Sequence, residues 1–185
     1  MRLNLGCGHN RKTGWVNVDK YGDPDVRHDL ETFPWPWPDD SIEAIELVHV
    51  LEHLGQDVNI YLKIFQEMYR ISKPGCEIMI LVPHPRHDNF LDDPTHVRAV
   101  TALGLHLFNQ RLNDYWRRDN YSNSPLGQYL GVDFEMVGHF ENETKGWQHH
   151  AGAAERDFHI NTVVESKFLL SVMKPQRFPL EQKPF

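Results

Sequence analysis

Leu3-Asn4-Leu5-Gly6-Cys7-Gly8 is the stretch on which the fold turns. Leu3 and Leu5 alternate with polar neighbours, so residues 2–6 read as a short strand running into a glycine turn. Glycine tolerates positive φ and lets backbone N–H groups come close to a ligand. In α/β sheets, ligands sit beyond the carboxyl ends of strands at turns of this kind. A lone Gly-x-Gly also marks an ordinary tight strand–helix turn, so the motif needs company before it means more.

The company lies downstream. Residues 15–19 (WVNVD) read as a second strand that ends on Asp19. Residues 42–50 are rich in isoleucine, leucine and valine, the composition of a buried strand. Residues 57–71 place Val58, Tyr61, Leu62, Phe65, Met68 and Tyr69 at helical spacing, and Lys73-Pro74-Gly75 stops the helix. Residues 77–82 form another apolar strand. Residues 109–118 read as a helix, and residues 132–140 and 162–173 as late strands that pair antiparallel. Strand, loop, strand, strand, helix, strand is the order of an α/β protein with a mainly parallel sheet. The aromatic run Phe33-Pro34-Trp35-Pro36-Trp37-Pro38 reads as an ordered loop packed by its tryptophans.

Composition narrows the classes. A chain of 185 residues allows about one domain. No apolar run reaches the ~18–20 residues that span a bilayer, and residues 1–8 lack the layout of a signal peptide. Two cysteines make no disulfide framework, so a reducing, cytoplasmic setting is expected. Nineteen basic against 26 acidic residues disfavour a nucleic-acid partner. Arg111, Arg117 and Arg118 with Tyr115 and Trp116 read as a solvated helix face rather than a nucleic-acid surface.

Asp19 at a strand end can accept hydrogen bonds from two ribose hydroxyls. Asp29 and Leu30 place a carboxylate and an apolar side chain where an adenine could be held. Dinucleotide binding is less well supported, because the third position of Gly-x-Gly-x-x-Gly is Arg11.

Taken together, LNLGCG (residues 3–8), NVD (17–19), DL (29–30), PWPDDSIEAIELVHVLEHL (36–54) and the KPG…EIMILVP segment (73–83) resemble class I S-adenosylmethionine-dependent methyltransferases. The resemblance covers residues 2–83 well and residues 132–173 loosely. It implies a single Rossmann-like methyltransferase domain over residues 1–173, mostly parallel and closed by an antiparallel C-terminal strand pair. Residues 84–131 would be a substrate or lid insertion, and residues 174–185 a frayed tail. It implies S-adenosylmethionine as cofactor and methyl transfer to an oxygen or nitrogen of a small molecule. Gly6, Cys7 and Gly8 would wrap the methionine part, Asp19 would bind the ribose, and Asp29 and Leu30 would flank the adenine. Val48 and His49, ending the fourth strand of such a sheet, would lie near the sulfonium and the methionine carboxylate. Two features depart from the pattern. Asn4 stands where the family has an acidic residue, able to accept a hydrogen bond from the cofactor amino group but without charge. Only residues 7–15 separate the first two strands, short of the ~10–12 residues of a usual crossover. These departures keep open a non-catalytic nucleoside-binding module. With a strand beginning at Arg2, closure over the site is expected from the middle insertion or from another subunit.

Twelve histidines need a reading. His84 and His87 follow the fifth strand, where a neutral imidazole could act as base during methyl transfer. Asp93, His96 and Arg98 in the DPTHVR turn could contact substrate; equally, Asp93 could cap a helix starting near Pro94. A metal held by His84, His87 and His96 is the rival reading, yet no HExxH or Cys–His spacing accompanies it, and no metal is expected. Glu52-His53 reads either as a shaper of the cofactor–substrate junction or as a helix-start pair. His149, His150 and His159 read as loop residues.

Overall fold

The structure, a computed structural model, describes residues 1–143 and 161–178. His149, His150, His159 and residues 179–185 lie outside the described residues. Among the described residues, seven strands form one sheet: β1 (Arg2–Leu5), β2 (Val16–Asp19), β3 (Val26–Arg27), β4 (Ile42–Val48), β5 (Ser72–Pro83), β6 (Phe134–Glu143) and β7 (Val163–Val172). Their order is β3-β2-β1-β4-β5-β7-β6. β3, β2, β1, β4 and β5 run parallel, and β7 pairs antiparallel with β5 and with β6. The late strand pair therefore closes the sheet as expected.

Register shows how the residue pattern divides the two faces. Leu3 lies beside Ile45, Ile45 beside Ile78, and Ile78 beside Leu170; Leu5, Leu47, Ile80 and Phe168 form the next row on that face. All eight are at most 2% exposed. The helix α1 (Val58–Ile71) supplies Ile64, Phe65 and Met68 to the same core. Phe65 stacks on Phe108 at 3.9 Å and meets Phe134 edge-on. Asp57 caps α1 through Asn59 N. Ser72 ends it and passes directly into β5, so Lys73-Pro74-Gly75 stops the helix from within a strand.

The opposite row is Asn17, Asn4, Glu46 and Met79. No helix lies between β1 and β2. Side-chain bonds organise the connection instead. Asn4 Nδ2 donates to Asn10 O and Asn17 Oδ1, both at 2.9 Å, and Asn17 Oδ1 also accepts from Lys12 N at 2.7 Å. Lys12 pairs with the buried Glu46, and Trp15 lies under the cations of Arg2 and Lys12. This polar lattice satisfies groups that a crossover helix would otherwise cover.

Three readings change. β3 is a strand of two residues, too short to show a period in sequence. No helix begins at Pro94: Asp93 Oδ1 accepts from Thr95 N and Thr95 Oγ1, closing a local turn, and the next helix is α3 (Ala102–His106), capped by Thr101 after the four-residue α2 (Asp88–Leu91). The middle segment also carries α4 (Gln110–Arg118), capped by Asn109, and α5 (Leu126–Leu130). Residues 174–178 are not frayed. Lys174 Nζ donates to Ser72 O at 2.6 Å, Phe178 N donates to Gln110 Oε1 at 2.7 Å, and Arg177 forks onto Asp133 at 2.6 and 2.8 Å. No helix among the described residues is long and apolar enough to cross a membrane.

Candidate active site

The sheet reverses its strand order between β1 and β4, and ligands of α/β sheets sit beyond such a switch point. A cavity of about 210 Å³ opens there. Gly6 after β1, Asp19 ending β2, Asp29 and Leu30 after β3, and His49, Val50 and His53 after β4 all line it. Every one of these lies at or beyond the carboxyl end of a strand.

Gly6 is required by two constraints. Its φ is +64°, and a Cβ there would stand 2.5 Å from Val50 Cγ2. The turn after β1 thus rests directly on Val50, two residues past the end of β4, and both border the cavity. Gly8 N donates to Asp19 Oδ2 at 2.9 Å, and Tyr21 N donates to Asp19 Oδ1 at 2.8 Å. Two backbone donors fix the carboxylate at the rim while leaving each oxygen further acceptor capacity. Asp29 Oδ1 accepts from Glu31 N at 3.0 Å, and its other oxygen lies 3.4 Å from Lys20 Nζ. Leu30 is buried, its carbonyl accepting from Trp35 Nε1 at 3.0 Å.

His49 occupies left-handed backbone at φ 54°, an uncommon conformation for a non-glycine residue. Its Nε2 lies 2.9 Å from Glu165 Oε1, and its Nδ1 lies 3.5 Å from Glu52 Oε1. The Glu52 contact raises the His49 pKa above its ordinary value; burial opposes this, and the charges of Glu52 and Glu165 add to it.

Of the residues expected at the cofactor, Gly6, Asp19, Asp29, Leu30 and His49 share this cavity, with Gly8 bonded to its rim. Asn4, Cys7 and Val48 do not border it. Asn4 is 4% exposed and spends its amide donor on the β1–β2 connection. Cys7 N donates to Val18 O, and burial pushes the Cys7 thiol pKa up.

The histidines after β5 go elsewhere. His84 lines a separate cavity of about 400 Å³ with Val100, Leu103, His139 and Phe168, and burial lowers its pKa. His87 Nδ1 accepts from Asn89 N and caps α2. Arg98 turns inward: Nη2 donates to Gly55 O at 2.6 Å, and the guanidinium lies 4.2 Å over the Tyr61 ring. His96 packs edge-on against His53, with centroids 4.6 Å apart. The rival grouping of His84, His87 and His96 is not among the clusters formed by the described residues; His96 lies with Glu52 and His53 instead. Sequence reading also missed Lys20, Tyr21, His28 and Glu31 at the cavity. Tyr21, an aromatic next to the Asp19 strand end, was the one signal available.

No protein-family model matches the chain, and no curated protein matches it. Solved structures do. A SAM-dependent methyltransferase from Archaeoglobus fulgidus aligns over 92% of this chain and 85% of its own, at TM-score 0.61 and 18% identity. A second, from Methanosarcina mazei, aligns over 93% and 92%, at TM-score 0.55 and 12% identity. The [4+2]-cyclase SpnF aligns over 93% and 74%, at TM-score 0.51 and 12% identity. A fold shared with a cyclase leaves the chemistry to the site. With the strand order and the switch-point cavity on the page, these likenesses make the fold that of the class I S-adenosylmethionine-dependent methyltransferases.

Proposed function

We propose that the switch-point cavity binds S-adenosylmethionine and that the protein transfers its methyl group to an oxygen or nitrogen of a small-molecule acceptor. The observation that carries this reading is the convergence of Gly6, Asp19, Asp29 and Leu30 on one cavity at the strand carboxyl ends. Asp19, held by two backbone N–H groups, is placed to accept from the ribose hydroxyls. Asp29 and the buried Leu30 would take the adenine amino group and ring. The tight Gly6 turn lets backbone approach the methionine portion. The transfer is an in-line displacement, so the protein's main work is alignment of nucleophile, methyl and sulfur. The imidazoles at the cavity wall are those of His28, His49 and His53, so His84 and His87 have no part in this reading. A chain with 26 acidic and 19 basic residues suits a small acceptor better than a polyanion. Two free, buried cysteines accord with a reducing, cytoplasmic setting.

Calorimetry and thermal shift with S-adenosylmethionine and S-adenosylhomocysteine test it. Ligand at a hundredfold excess over Kd is expected to stabilise the fold by about 2.7 kcal/mol. Asp19→Asn, which keeps the shape and removes the charge, is expected to weaken binding roughly 10- to 100-fold. No heat and no shift with either ligand removes the proposal. Binding without turnover across alcohol, amine and carboxylate acceptors would instead assign a nucleoside-binding module.

A further inference from the structure

We propose that Glu52, His53 and His96 bind a divalent transition-metal ion, with Zn²⁺ the ion their donor set suits. Among the described residues, one potential ligand atom from each of the three lies within 4.8 Å of the other two. Glu52 is 1% exposed, and neither of its carboxylate oxygens has a hydrogen-bond partner. A buried carboxylate without donors is costly unless a charge compensates it. His49 Nδ1, 3.5 Å from Oε1, offers partial compensation, but the His49 ring also serves Glu165.

The surrounding hydrogen bonds assign both imidazole tautomers. Thr95 Oγ1 donates its only proton to Asp93 Oδ1 at 2.6 Å. His53 Nδ1, 2.9 Å from Thr95 Oγ1, is then the donor in that pair. His96 Nδ1 lies 2.8 Å from Phe90 O, a carbonyl that can only accept. Each neutral ring therefore carries its lone pair on Nε2. Asp93 Oδ2, 3.8 Å from His96 Nε2, adds further negative potential. A cation bound between these three side chains would supply the charge that the donor-less Glu52 carboxylate lacks.

The scaffold is built for it. Val97 N and Arg98 N both donate to Glu52 O, at 2.9 and 3.1 Å, and seat the DPTHVR turn on the 3₁₀ turn Leu51–His53 that follows β4. Histidines that bind metals commonly give their other N–H to a backbone or side-chain oxygen, as both do here. Zn²⁺ takes such ligands at about 2.0–2.2 Å, which puts tetrahedral neighbours roughly 3.4 Å apart, so side-chain rotation closes the present spacing. Three protein ligands leave a fourth position open, and His53 borders the switch-point cavity. A role for that position in holding an acceptor oxygen rests on the methyltransfer reading; the metal site does not.

Tag-free protein stripped with chelator and titrated calorimetrically with Zn²⁺ is expected to bind one equivalent. Co²⁺ in its place is expected to give the visible bands of a four-coordinate site. Glu52→Gln and His96→Ala should each weaken Zn²⁺ at least about tenfold, and Thr95→Val, which removes the nearer of the two oxygens facing His53 Nδ1 and leaves the residue 95 carbonyl at 3.3 Å, by a smaller factor. His84→Ala and His87→Ala should leave it unchanged. Circular dichroism of each metal-free variant establishes that it folds. Absence of stoichiometric Zn²⁺ in the wild type, or equal affinity in wild type, Glu52→Gln and His96→Ala, overturns the proposal. The S-adenosylmethionine titration is a separate measurement on the metal-free protein, and its failure alone leaves the metal site standing.

Discussion

Gly6 and Asp19 show how single residues set the cavity. Gly6 combines positive φ with a contact that leaves no room for a methyl group against Val50. Gly6→Ala is expected to cost about 2–4 kcal/mol, from left-handed strain plus overpacking. Val50→Ala in that background should recover the packing part and leave the strain, a split that chemical denaturation of the single and double variants reads out. Asp19 stood out because a carboxylate closes a strand beside a glycine turn, and it lines the cavity there. Asn4, read as a cofactor contact, turns its amide to the β1–β2 connection, because a side chain on a parallel strand has two faces to choose from. The choice fell to the lattice formed with Asn10 and Asn17, which no local pattern encodes. Glu52 was legible only as part of a motif. That its carboxylate is buried without donors is a property of its surroundings.

At the level of elements, α1 does more than cover the sheet. Trp35 N donates to Glu67 Oε2 at 2.6 Å, and Arg70 bonds both Glu67 oxygens at 2.8 and 2.9 Å. Arg70 also donates to the carbonyls of Trp35 and Trp37. The helix thereby pins the tryptophan loop, and Trp35 in turn holds the carbonyl of Leu30 at the cavity. Burial pulls the Glu67 carboxyl upward, but Arg70 and the Trp35 N–H outweigh it and hold the pKa below the ordinary value. A carboxyl lowered in the fold contributes stability above its unfolded pKa and loses it as pH falls through the folded value. Glu67→Gln is therefore expected to lower stability at neutral pH and to flatten the acid limb of a stability–pH curve. Phe65→Ala, which removes the ring stacked on Phe108, should cost about 3–5 kcal/mol by denaturant titration. The helix itself was readable from its period and its Asp57 cap. β3 was not, since two residues show no period.

Across the whole molecule, the C-terminal segment ties the late part of the chain to the early part. Arg177 neutralises Asp133, which has no exposure, and Lys174 reaches back to the helix–strand junction at Ser72. Arg177→Met is expected to cost about 3 kcal/mol, because an uncompensated buried carboxylate remains. Asp133→Asn in the same chain should restore part of it, as thermal melting of the three proteins would show. The sequence alone determined the α/β class, the sheet's parallel core and antiparallel closure, the principal helix, and the glycine turn with its two following carboxylates. Those features are local: period, turn chemistry and strand ends are written within a few residues of one another. Tertiary structure decided which histidines meet. His53 and His96 are 43 positions apart, and their pairing depends on two backbone bonds from Val97 and Arg98 to Glu52. Contacts of that range arise from the packing of the middle segment onto the strand ends, and residue spacing along the chain carries no record of it.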